Sequence, residues 1–150
     1  MMNPRAAAVP VVLGLVLLGA ACGGPQSRVK KGQVQTVIDQ QPDRGSYLEA
    51  IGIGASDPAL PTDTQKKSLA RDAAIVKAQY EMLSMIKGVE IEGGVTVQRA
   101  IETDSNLQSR IKEVIKGAEI RKTEYTSDNG CVVTLRLPKK RLVELGVKLK

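Results

Sequence analysis

The chemistry open to a polypeptide starts from its nucleophiles, acids and metal ligands, and in these 150 residues that inventory is short. There are two cysteines, Cys22 and Cys131, and no histidine. Without histidine there is no Ser-His or Cys-His nucleophile pair, no imidazole base, and none of the commonest zinc ligand. Glu90 and Glu92 are paired carboxylates, but alternate positions of a strand share a face, and this pair reads as a solvated one. Gly52 and Gly54 follow a strand-like run as a dinucleotide loop would begin. The third glycine position is Asp57, no short turn into a helix follows, and the fingerprint fails. Glycine inside a strand marks a bulge or close packing instead. The expectation is a non-enzyme with no catalytic residue, no cofactor and no metal.

Cys22 sits at the end of "LVLLGAACGG". Residues 1–5 carry one positive charge, residues 6–21 are apolar or small throughout, and the first acidic residue is Asp39. That is the layout of an export signal. A spanning helix needs roughly 20 apolar residues; this run is shorter, contains Pro10, and ends in Gly23, Gly24 and Pro25. "GAAC" after a leucine-rich run resembles the lipobox of bacterial lipoproteins, with Gly19 where leucine is usual. The resemblance implies cleavage before Cys22, a diacylglycerol on its thiol and an acyl chain on its amino group. Each buried methylene contributes about 0.8 kcal/mol, so several chains form a stable anchor. On that resemblance residues 1–21 are the signal peptide and Cys22 is the lipid attachment site, through which the chain meets its first partner, the membrane lipid. Small residues at Gly19 and Ala21 also suit ordinary signal cleavage, which would leave Cys22 as a free N-terminal cysteine.

Removing the signal takes away one basic residue, Arg5, and leaves the formal excess of +6 nearly intact. A nucleic-acid surface would interleave aromatic side chains for base stacking, but the chain has three tyrosines and no Phe or Trp. No nucleic-acid partner is expected. Arg28, Lys30 and Lys31 either lie against anionic head groups or belong to a solvated tether. With Cys22 acylated, Cys131 has no intramolecular partner. It opens the alternating run Cys131, Val133, Leu135, Leu137, which puts it on the apolar face of a strand as a buried, inert thiol.

These residues need elements to position them. Residues 22–46 are polar and rich in Gly, Pro and Gln, and read as the lipidated cysteine plus a flexible tether of about 24 residues, reaching roughly 25–30 Å. Residues 47–150 hold one core. Residues 47–55 alternate as a first strand. Thr62 and Gln65 form a capping-box pattern opening a helix to Lys87, stopped by Gly88. Residues 89–98 read as a second strand weakened or bulged at Gly93-Gly94, and a second helix follows from about Asp104, capped through Ser105 and Gln108, to Lys116. Residues 118–126 and 131–137 form a hairpin across "SDNG", and Pro138 opens a short last helix. The order strand-helix-strand-helix-strand-strand-helix gives an α+β fold, a mainly antiparallel sheet with helices on one face.

The long helix carries two stripes. Leu69, Ala73, Val76, Tyr80 and Leu83 recur at helical spacing and are expected to face the sheet. Ala70, Ala74 and Ala78 recur every four residues on the other side, where small side chains let another backbone approach closely. That backbone is the second helix or another copy of the protein, unless the alanines only favour helix. Ala70, Ala74 and Ala78 are the candidate helix-helix or partner face.

"ARDAAIVKAQYEMLSMIKGVEIEG", through Ala70, Arg71, Ala74, Ala78, Leu83, Ile86 and Gly88, resembles the helix of the twenty-kilodalton Lpp-type lipoprotein family, and the resemblance takes in "AIGIGAS" and the lipobox. Members are bacterial envelope lipoproteins, several of them surface antigens, with a domain similar to a module of flagellar assembly proteins. The resemblance implies a fold and no catalytic residue. The expected protein is a non-enzymatic envelope lipoprotein facing periplasm or surface. Gly23 in place of aspartate after the cysteine matches the outer-membrane sorting pattern of such lipoproteins. The alternative is an assembly subunit of a secretion or flagellar-type apparatus, with a homo-oligomer or another envelope protein as partner; a hydrolase of envelope polymers is a distant third.

Overall fold

A computed structural model describes residues 26–35, 45–91 and 93–147. In chain order these form β1 (Val29–Lys30), β2 (Gln33–Val34), β3 (Tyr47–Gly54), α1 (Asp63–Lys87), β4 (Glu90–Ile91), β5 (Val95–Thr96), α2 (Val97–Thr103), α3 (Ser105–Lys116), β6 (Glu119–Tyr125), β7 (Cys131–Pro138) and α4 (Lys139–Val143). The class is α+β, as expected. The main sheet has three strands in the order β3-β7-β6, antiparallel throughout.

Local chemistry sets most boundaries. The Thr62 side chain accepts from the Gln65 backbone N–H at 3.2 Å and starts α1, and Gly88 caps its end. The β6–β7 hairpin closes across 126–130, where Thr126 N–H donates to Gly130 O at 2.9 Å and Asn129 takes φ +64°. Asn129 Nδ2 also donates to Asp63 Oδ1, tying this turn to the first turn of α1.

Three sequence expectations change here. The second strand, read over 89–98, is a small hairpin, β4 and β5, turning at Gly93 and Gly94 with positive φ. Its last residues begin a helix: the Thr96 hydroxyl accepts from Arg99 N–H and starts α2 at Val97. For α3 the cap is Asp104, whose carboxylate accepts from Asn106 and Leu107 N–H groups, so Ser105 is already helical. Pro138 ends β7 and precedes the first turn of α4.

The larger correction concerns how α1 meets the sheet. Ala70, Ala74, Ala78, Met82 and Ile86 are its buried residues, whereas Leu69, Val76 and Tyr80 are 46%, 65% and 64% exposed. The alanine stripe is therefore the sheet-facing one. The reason lies in β3, where a Cβ built on Gly52 would stand 2.0 Å from Ala74 O and 2.4 Å from Ala78 N. One built on Gly54 would stand 2.0 Å from Ala70 O and 2.6 Å from Ala74 N. Helix backbone rests on strand backbone. Two strand residues advance about 6.6 Å and four helix residues about 6 Å, so a Gly-x-Gly pair stays in step with alanines spaced by four. The reading of these strand glycines as close packing holds.

Beyond the alanines the buried residues of α1 are larger, Met82 and Ile86. Met82 and Ile86 join Val97, Ile101, Ile111, Ile115, Leu135, Leu137, Leu142 and Val147 in one core. The sheet's second face carries Glu49, Ile51, Val132 and Thr134, all buried, with Lys122 and Glu124 of β6 paired beside them.

Gly52→Ala is expected to destabilise the domain by about 2–3 kcal/mol, because the new methyl meets backbone and the helix must lift. Gly88→Ala, with φ −78° and its new Cβ at an ordinary 3.6 Å from Met85 O, is expected to stabilise by about 0.5 kcal/mol. Urea unfolding of both variants reads the opposite signs.

Candidate functional site

The sequence singled out Cys22, the alanine face and Cys131. Cys22 and the segment 1–21 lie outside the described residues, as does Glu92. Ala70, Ala74 and Ala78 are fully buried against β3, so they are a core seam and are removed from the candidates for a partner face. The approaching backbone is neither the second helix nor another copy; it is the strand of the same domain. Cys131 is free and buried, paired with Gly54 on one side and Tyr125 on the other. Burial pushes its thiol pKa up, partly opposed by the positive charge of Arg71. A thiol kept protonated and enclosed is a poor nucleophile. Among the described residues no group of His, Cys, Asp or Glu is placed to hold a metal ion.

What the sequence did not reveal is that part of the supposed tether folds onto the domain. Residues 29–34 make a two-residue hairpin, its turn formed by Lys31 at φ 51° and Gly32 at φ 76°. Positive φ at both turn positions suits the twist of the strands. Glu124 of β6 holds this hairpin. Its carboxylate accepts from the Ser27 hydroxyl, from Arg28 N–H at 2.8 Å and from Val29 N–H at 3.4 Å, with Lys122 Nζ at 3.4 Å. Gly32 O accepts from Ser127 N–H at 2.7 Å, and a Cβ on Gly32 would press on Ser127 Cβ at 2.9 Å. Arg28 is 6% exposed, so it is not free to reach head groups, while Lys30 and Lys31 are exposed. The one signal in the sequence was Gly32 between Val29 and Val34; Glu124, nearly a hundred residues away, gave none.

Glu124 is also the site's electrostatic centre. Burial opposes its charge, yet the Ser27 hydroxyl, the Arg28 amide, the Lys122 ammonium and the Val29 amide together hold its pKa below 4.5. A depressed carboxylate pKa stabilises the fold above the unfolded value, and that contribution is lost as pH falls through the folded one.

The third feature is the outer face of α1, a shallow apolar surface formed by Leu69, Ala73, Val76 and Tyr80 and edged by Asp72 and Lys77. Lys77 is bonded to Glu81 at 2.9 Å and lies 5.3 Å from the Tyr80 ring centre. Beside it, Tyr80 and Leu83 of α1 and Lys112 and Ile115 of α3 line a groove between the two helices.

Fold and site together define an α+β domain with a docked N-terminal hairpin and an open helix face. Comparison with protein-family models, curated proteins and solved structures finds no match to this chain.

Two outcomes are expected. In the folded protein Cys131 stays unmodified by a thiol reagent under conditions that label it fully in urea, as read by mass spectrometry. Amide exchange at Arg28 and Val29 is slow above about pH 4.5 and, after correction for intrinsic rates, loses protection at lower pH; Glu124→Gln removes that protection at neutral pH while the β3–β7 amides stay protected.

Proposed function

We propose that this chain is a bacterial envelope lipoprotein, held by acyl chains on Cys22, whose domain acts through structure and contact instead of catalysis. The observation that carries the reading is "GAAC" at the end of a charged-then-apolar leader. The resemblance to the Lpp-type family supports it through the same lipobox, while the alanines and glycines of that resemblance have a packing role here and bear on fold alone. Gly23 after the cysteine supports sorting to the outer membrane.

The docked hairpin changes what the anchor does. Ser27 is hydrogen-bonded to Glu124, and it lies five positions after Cys22 with four residues between them. Extended chain covers at most about 18 Å over that distance. A lipid on Cys22 therefore keeps β6 close to the bilayer, well inside the reach of a free 24-residue tether, with the exposed Lys30 and Lys31 in the part of the chain nearest the head groups.

A second reading, an assembly subunit of a secretion or motility apparatus, is favoured by the exposed Leu69, Val76 and Tyr80 on α1. Recurrent cross-links in intact cells to the components of one machine would support it.

In cells fed a labelled fatty acid, the wild-type chain is expected to take up label and fractionate with outer membrane, and Cys22→Ala to remain an unlabelled precursor. Equal labelling of both would end the lipoprotein reading.

A further inference from the structure

The exposed face of α1 carries a pattern that names its occupant. Leu69, Ala73, Val76 and Tyr80 alternate spacings of four and three, the seam of a two-stranded coiled coil, with Leu69 and Val76 at d and Ala73 and Tyr80 at a. In that frame Asp72 falls at g and Lys77 at e, one on each flank of the seam. Leu83, the next d residue, turns toward α3 and ends the free stretch. We propose that this face packs against the same face of a second copy, with the two α1 helices parallel about a two-fold axis along the seam.

The flanking charges select that partner and that direction. Between parallel helices a g residue faces the e residue five places further on in the partner. Asp72 then meets Lys77 of the second copy, and symmetry makes the pair twice. Between antiparallel helices g faces g and e faces e. Asp72 would meet Gln65, Gln79 or another Asp72, and Lys77 would meet Ala70, Ser84, another Lys77 or, at one register, Asp63. That one register also sets Asp72 against Asp72 across the seam, so no antiparallel arrangement gives both charges an opposite partner. Both side chains are accessible, Asp72 at 70% and Lys77 at 54%. Their present contacts, Arg71 at 4.0 Å and Glu81 at 2.9 Å, are surface pairs that cost little to exchange. Ala73 at the centre of the seam lets the helices approach closely. Four seam residues per copy make a contact smaller than the roughly 800 Å² per partner of a standard interface, so the dimer is concentration-dependent.

The test uses the full-length chain in a mild detergent, followed by native mass spectrometry over a concentration series. Wild type is expected to pass from monomer to dimer. Asp72→Lys and Lys77→Asp each face like charges across the seam and weaken the dimer by about tenfold. Mixing these two variants is expected to give mainly heterodimer, because every facing pair is then Lys against Asp, and the double variant Asp72→Lys/Lys77→Asp recovers the wild-type dimer. Val76→Glu abolishes the dimer without lowering the melting temperature, since Val76 already faces solvent in the monomer. A wild type that stays monomeric at every concentration, a dimer indifferent to either charge reversal, or single variants that do not pair when mixed would each overturn the proposal. The inference does not rest on the lipid reading: monomer mass reports acylation at Cys22, and stoichiometry alone reports the seam.

Discussion

Between the backbone of α1 and that of β3 there is room for methyl groups and nothing larger. Gly52 and Gly54 remove the side chains from the strand, and on the helix side they face the backbone and methyl groups of Ala70, Ala74 and Ala78. Dispersion attraction falls steeply with separation, so two backbones in direct contact gain many small contacts along the whole seam. That seam fixes the height of the helix over the sheet and, through the match of strand and helix rise, its position along β3. The rest follows from it. Met82 and Ile86, too large for the glycine seam, pack beyond it with residues of α2, α3 and α4 in one core.

The same constraint explains which part of the long helix was misread. Leu69, Val76 and Tyr80 are the most hydrophobic stripe and, by the usual rule of amphipathic helices, should have faced the sheet. They are too large for a surface made of glycine, so the helix turns its alanines inward and leaves them out. Hydrophobicity alone ranks the two faces wrongly because the deciding quantity here is volume. The information was nevertheless present: the glycines suggested close packing, the alanines suggested close approach, and only the pairing of one with the other was missing.

Elsewhere the sequence was read most successfully where local chemistry decides. Thr62 with Gln65, Gly88, and the turn around Asn129-Gly130 placed α1 and the β6–β7 hairpin, and alternation put Cys131 in the core. Residues 89–98 failed because Thr96 serves as a helix cap at the end of a strand-like run, and a cap is a single hydrogen bond that outweighs weak β propensity. The docked hairpin was illegible for a different reason. Ser27, Arg28 and Val29 look like solvated linker until Glu124 is brought beside them by the pairing of β6 with β7. A contact that depends on tertiary structure leaves no periodicity in the residues that make it.

A helix-sheet seam built from alanine and glycine also has its own thermal character. Neither residue has side-chain rotamers to freeze, so ordering the seam costs backbone entropy and little else. Each also hides less apolar surface than a leucine or valine, and apolar surface is what makes the heat capacity rise on unfolding. This half of the domain therefore contributes little curvature to stability against temperature, and the Met82–Ile86 half contributes most of it. On cooling, the end filled with large side chains loses its driving force first, while the glycine-alanine end keeps its contacts.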